Sequence, residues 1–287
     1  MRARRVVHLA WALVTAMWFA VASAAPSAQA PSAWLYGERH DHPDHAAQVA
    51  EAIRGLARAS RLRAVVLEMA ERGRHTADVP PDASEATVRQ ALAWQDAGWP
   101  WAQYGPLVMA AVRAGVPVLG GNLPRGELRT VMADAQWDER VPPEVRERLI
   151  DAVREGHCDL LPASQLGPMA RVQIARDEQM ARTVAEAAEG AVPGQVVVLH
   201  AGAAHVSRRT GVPVHLARLA PQLQLRVIGF DSAYVSQAEP GFDEWRPARH
   251  VPPRDHCAEL RQRGMAPRAS PETLPAASGP ASAPASR

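Results

Sequence analysis

The chain of 287 residues contains no lysine: all 32 of its basic residues are arginine. That absence excludes chemistry needing a lysine amine, namely a Schiff-base nucleophile, a pyridoxal enzyme or a Walker phosphate loop. The simplest reading of arginine-only usage is a GC-rich genome. Charge of one sign is also lacking, because the formal +2 includes Arg2, Arg4 and Arg5 near the start. Without them 29 arginines face 30 acids, so no nucleic-acid footprint is expected. Aromatics are scarce at 5%, and only two cysteines are present. What remains is 47% apolar and 22% charged, enough to close a core and unlike a disordered tail or a membrane bundle.

No apolar run is long enough to span a bilayer. The longest, Leu9 to Val21, is about 13 residues against the roughly 20 a spanning helix needs. It follows the three N-terminal arginines and precedes Ala22-Ser23-Ala24, a small-residue cleavage site, so residues 1–24 are expected to be a secretory signal peptide. This implies a periplasmic or secreted protein, with no integral membrane segment in the mature chain. In an oxidising compartment Cys158 and Cys257 are expected to pair, with two buried free thiols as the alternative. A bridge closing a loop of that length contributes about 4 to 5 kcal/mol in the chain-entropy description.

Residues 25–32 form a flexible Ala/Pro/Ser/Gln spacer and 265–287 a disordered Pro/Ala/Ser-rich tail, leaving 33–264 as one α/β domain. Within it, short apolar runs alternate with helical patterns. Strands are expected at 34–36, 64–67, 116–119, 196–199 and 225–228. Helices are expected at 44–59, with Asp44 as N-cap, and at 85–96, 104–114, 143–154 and 167–188. Continuous β-branched runs separated by helices predict a single doubly wound, mainly parallel sheet with flanking helices. Residues 120–166 read as a helical insertion.

Conspicuous polar residues fall just past predicted strand ends, where ligands of open parallel sheets bind. Glu38 and His40 follow the first strand, Glu68 ends the second, Asn122 and Arg125 follow the third, and His205 follows the fourth. Two carboxylates and two imidazoles suit a divalent ion such as Zn, Mn, Fe or Co, or three ligands with one carboxylate as general base. The simpler alternative for each is a strand-end hydrogen bond. His42 and His45 read as water-facing residues around the helix start, and His200 as a satisfied buried histidine. No constellation surrounds His157, His250 or His256. Trp94, Trp99, Trp101 and Tyr104 cluster, as core closure or as the wall of a flat ligand. Arg176 and Asp177 read as a surface pair or as a brace behind a pocket.

Taken in order, Tyr36-Gly37-Glu38-Arg39-His40, Val66-Leu67-Glu68-Met69, Tyr104-Gly105-Pro106-Leu107, Gly121-Asn122-Leu123-Pro124-Arg125, Arg176-Asp177-Glu178-Gln179-Met180-Ala181 and Ala201-Gly202-Ala203-Ala204-His205 resemble the ChaN-type haem-binding uptake family. That family belongs to the wider Tiki, TraB and erythromycin-esterase superfamily, marked by two Gly-x-x-His motifs and a glutamate pair, here Gly37 to His40, Gly202 to His205, Glu38 and Glu68. The resemblance implies an exported protein that binds haem for iron uptake or trafficking, through a tyrosinate on the iron and a ligand-dependent homodimer. On this sequence it assigns the iron to Tyr104, the best-placed of Tyr36, Tyr104 and Tyr234. Asn122, Arg125 and Arg176 complete the haem site, the arginines as propionate partners. The chain departs from the pattern in having neither a lipidation cysteine nor a lysine. The superfamily's second implication is a metal-dependent protease or esterase built on Glu38, His40, Glu68 and His205.

Overall fold

The computed structural model describes residues 32–231, 241–252 and 254–262. The expected signal peptide, almost all of the expected spacer, Tyr234 and the Pro/Ala/Ser-rich tail lie outside the described residues. The strands are β1 (Ser32–Glu38), β2 (Leu62–Glu71), β3 (Val118–Asn122), β4 (Val196–Gly202), β5 (Gln224–Asp231) and β6 (Glu244–Pro247). The helices are α1 (His45–Arg58), α2 (Glu85–Ala91), α3 (Trp101–Arg113), α4 (Leu128–Ala133), α5 (Pro143–Gly156), α6 (Ala163–Ala188), α7 (Ala203–Val206), α8 (Val212–Leu219) and α9 (His256–Gln262).

The six strands pair in parallel in the order β3-β2-β4-β1-β5-β6. Helices cover both faces, so the strands are apolar on both sides, and every residue of β4 is buried. Alternation of side chains across the pleat divides the core. Val196 and Val198 pack with Val49 and Ile53 of α1 and Leu107 of α3. Val197 and Leu199 pack with Met180 and Val184 of α6 and Leu216 of α8. Buried Ala46, Val49, Ala50, Ile53 and Leu56 recur on one stripe of α1, which is why this segment is helical and why it lies flat on the sheet. The 120–166 stretch is largely helical, and Val145, Leu149 and Val153 of α5 dock on Leu166, Ala170 and Ile174 of α6.

Several expected boundaries move. β3 begins at Val118 and continues through Gly120-Gly121. A Cβ at Gly120 would strike the Glu71 carbonyl, so glycine here permits close approach of two strands where the sequence alone predicts the start of the helical insertion. β2 runs on to Glu71 through a register shift between Leu67 and Glu71, placing Glu68 inside the strand. α2 stops at Ala91, and Ala93 takes a left-handed φ of 48°. α3 and α6 start earlier than expected. Asp44 occupies the N-cap position of α1, yet its carboxylate is bound by Arg249 and makes no cap bond. β6 was not anticipated: Glu-Trp-Arg-Pro has no apolar run, as befits a short edge strand. Cys158 and Cys257 are disulfide-bonded, with Cα atoms 5.6 Å apart.

Candidate functional site

The parallel sheet ends β1, β2 and β4 side by side, and this carries Glu38, Glu68 and Gly202 to one edge. Glu38 closes β1. Its Oε1 accepts from the Tyr104 hydroxyl at 2.7 Å and from His40 Nδ1 at 2.8 Å. Its Oε2 stands 3.1 Å from His200 Nε2, without the alignment of a hydrogen bond. Burial alone would raise this carboxyl, but the His200 and His40 imidazoles outweigh it and hold the pKa at about 2.

Glu68 projects from the irregular part of β2. Its Oε2 accepts from the Gly202 N–H at 2.7 Å, and its Oε1 lies 3.5 Å from His205 Nε2. His205, on the single turn of α7, is bound on its other side by Asp177 Oδ1 of α6 at 2.6 Å. Desolvation opposes a buried cation, yet two flanking carboxylates raise His205 well above the ordinary histidine value. Glu68 is lowered although buried, because His205, His40 and the Gly202 N–H favour its anion. Asp177 is raised by burial, which its contact with His205 offsets only in part. The arrangement is a buried imidazolium clamped between two carboxyl groups.

His40 is different. Its side chain is 42% exposed, Nδ1 is committed to Glu38, and Nε2 is 3.9 Å from Glu68 Oε2. Burial lowers its basicity, but Glu38 and Glu68 raise it overall. The ring meets the face of Trp99 edge-on at 4.8 Å between centroids.

The structure therefore brings together Glu38, His40, Glu68 and His205, as anticipated, but as ion pairs with one another. Among the described residues no three His, Cys, Asp or Glu side chains are arranged to hold a metal ion. The donor chemistry accounts for this: both nitrogens of His205 face carboxylates, and Nδ1 of His40 is spent on Glu38. Tyr104, expected on iron, is only 1% exposed and donates to Glu38. Burial, with Glu38 and Glu68 nearby, raises the phenol and keeps it protonated. Direct ligation would require that bond to break and the hydroxyl to be uncovered.

A cavity of about 370 Å3 adjoins Glu68 and is lined by Trp99, Asn122, Arg74, Arg125 and Arg176. Asn122 donates from Nδ2 to the Glu68 carbonyl and accepts from Leu123 N–H, which fixes the end of β3. Among the described residues no carboxylate pairs with the side chains of these three arginines, and Arg176 Nε is buried without a hydrogen-bond partner. The cavity thus offers three guanidinium groups beside one aromatic wall, with Glu68 and Glu71 also in its lining. Trp94 and Trp101 belong instead to the core, donating to the Trp99 carbonyl and to Glu85.

Sequence reasoning misplaced His42, His45 and His256, and took His200, correctly read as buried, to be satisfied. His42 and His45 are buried, not water-facing. Their rings stack at 3.9 Å, and His45 lies on Phe230 at 4.5 Å. His45 Nδ1 accepts from the Arg39 N–H, and desolvation lowers its pKa to about 3. His200 is buried but not satisfied, and it faces Glu38. His256, thought isolated, lines a second cavity with His40 and His205. Asp177, whose surface-pair reading is excluded by its burial, braces His205; its place on the α6 motif was the available signal.

The family model described as haem-binding uptake, Tiki superfamily, ChaN, matches residues 27–216. A solved structure of ChaN of Campylobacter jejuni, described as binding heme cofacially, superposes with a TM-score of 0.62 at 23% identity, covering 75% of this chain and 86% of that one. That likeness shows the shared fold. The type III effector HopBA1 superposes with a TM-score of 0.43 at 13% identity, over 77% of this chain and 88% of that one. No curated protein matches the chain.

Proposed function

The chain belongs to the haem-binding uptake family of the ChaN type, in the Tiki superfamily, and on that premise we propose that it is an exported protein that binds haem for iron uptake or trafficking. The observation that carries this reading beyond membership is the arginine cavity. Arg74, Arg125 and Arg176, which pair with no carboxylate among the described residues and are set beside Trp99, suit a flat ligand bearing carboxylates. Haem, when bound, would supply the iron chemistry. Arg74, Arg125 and Arg176 would hold its carboxylates, with Trp99 beside them. We propose that His40, in place of Tyr104, would hold the iron. Its ring is exposed, and Nδ1 already donates to Glu38 while Nε2 is left for a metal, the usual pairing for a ligating histidine. Loading is proposed to drive homodimerisation, and residues 1–24 to direct export. The superfamily's hydrolase reading is not favoured by the self-paired donors.

Haemin titration of the purified chain tests this. We expect saturable uptake with a Soret shift. His40→Ala should displace the Soret band, while Tyr104→Phe leaves its position unchanged. Arg125→Ala and Arg176→Ala should each cost about 1.5 to 3 kcal/mol, roughly ten- to a hundredfold in affinity. Absence of saturable uptake overturns the reading. Loss of the Soret shift in Tyr104→Phe alone would return the iron to that residue.

A further inference from the structure

Beyond β1 a cavity of about 530 Å3 opens between Glu38, His40 and His205 on the sheet edge and Arg254, His256 and Glu259 on the C-terminal segment. These last three come from α9 and the turn before it, past the 27–216 stretch that the family model matches. No residue of α9 is fully buried, and Ala258 and Leu260 are only half-buried, so apolar burial seats it weakly. It is fixed by the Cys158–Cys257 disulfide and by His256 Nε2, 3.1 Å from the Gly156 carbonyl. The anchoring turn is sharply set, since Cys158 and Asp159 both hold a left-handed φ of 57°. On the other side, residues 248–255 tie α9 to β6 and would keep it attached if the disulfide opened.

We propose that α9 is the outer wall of this second cavity, on the exposed side of His40, held in place by the disulfide, and that thiol–disulfide exchange at Cys158–Cys257 releases a ligand bound on His40. Arg254, ion-paired with Glu259, and His256, bound to the Gly156 carbonyl, line this wall opposite His40. The step balances with a dithiol as co-reactant. The Cys158–Cys257 S–S bond breaks and takes up two electrons and two protons, forming two thiols, while the dithiol becomes a disulfide. The identity of the ligand rests on the haem reading above; the existence of the wall does not.

The test uses the full mature chain, oxidised or treated with dithiothreitol, with thiol state verified by alkylation and mass spectrometry. Zinc protoporphyrin is the probe, because its metal is not altered by the reductant. We expect dissociation at least fivefold faster after reduction, reproduced by Cys257→Ser without reductant. Amide exchange across 256–262 should accelerate at least tenfold. Unchanged exchange overturns the wall, and faster exchange with unchanged dissociation overturns its role in release. If neither form retains porphyrin while haemin also fails to bind, the haem reading falls, and the exchange measurement alone decides whether the disulfide seats α9.

Discussion

Glu38 is a fully buried carboxylate whose anion is sustained by three neighbours, and each can be removed singly. Tyr104→Phe deletes one donor to it and leaves a cavity-free ring behind, so a loss of about 1 to 2 kcal/mol is expected in urea unfolding at neutral pH. A variant as stable as the parent would show that His40 and His200 suffice. His45 gives the clearest pH dependence. Its folded pKa of about 3 lies below the ordinary 6.5, so the folded state binds fewer protons than the unfolded one. Its contribution is present above pH 6.5 and is lost as pH falls towards 3, by about 2 kcal/mol at pH 5. His215, lowered to about 4 by burial, acts in the same direction. His45→Gln keeps an acceptor for the Arg39 N–H but cannot titrate, so the stability difference between pH 7 and pH 5 should roughly halve. Equal differences in parent and variant would locate the acid sensitivity elsewhere.

At the scale of elements, the contact between β2 and β3 depends on Gly120. Its missing Cβ admits the Glu71 carbonyl, and backbone cannot retreat as a side-chain tip can. Gly120→Ala should cost about 3 kcal/mol, whereas Gly126→Ala, which meets nothing within 4 Å, should stay within about 0.5 kcal/mol. Thermal unfolding of the two variants compares them directly, and similar midpoints would refute the crowding. The same pair of strands shows where sequence reading stops. Val65-Val66-Leu67 and Val196 to Leu199 announce buried parallel strands by composition alone. Gly120-Gly121 looks like a turn until the neighbouring strand is known, because a glycine needed for close approach and one needed for a turn are identical in sequence. Glu38, Glu68 and His205 were legible because strand ends of parallel sheets gather polar groups. The burial of His42 and His45 was not, nor the unsatisfied state of His200, since their partners Arg249, Phe230 and Glu38 come from other elements, and no local period encodes them.

Across the whole molecule, the disulfide joins the end of the helical insertion to the C-terminal segment over a separation of 99 residues. Constraint of the unfolded chain alone predicts a contribution of about 4 to 5 kcal/mol. The folded state argues for less. Because no residue of α9 is fully buried, opening the bridge lets 254–262 fray without disturbing the sheet, and the native ensemble regains part of the entropy that the unfolded chain gains. Reduction should therefore cost only about 1 to 2 kcal/mol, measured as the shift in urea midpoint with and without dithiothreitol. The denaturant slope should change little, since frayed residues bury little surface in either redox state. A loss near the full chain-entropy value would mean that α9 stays seated without its bond, so that the same measurement bears on how the cavity is closed.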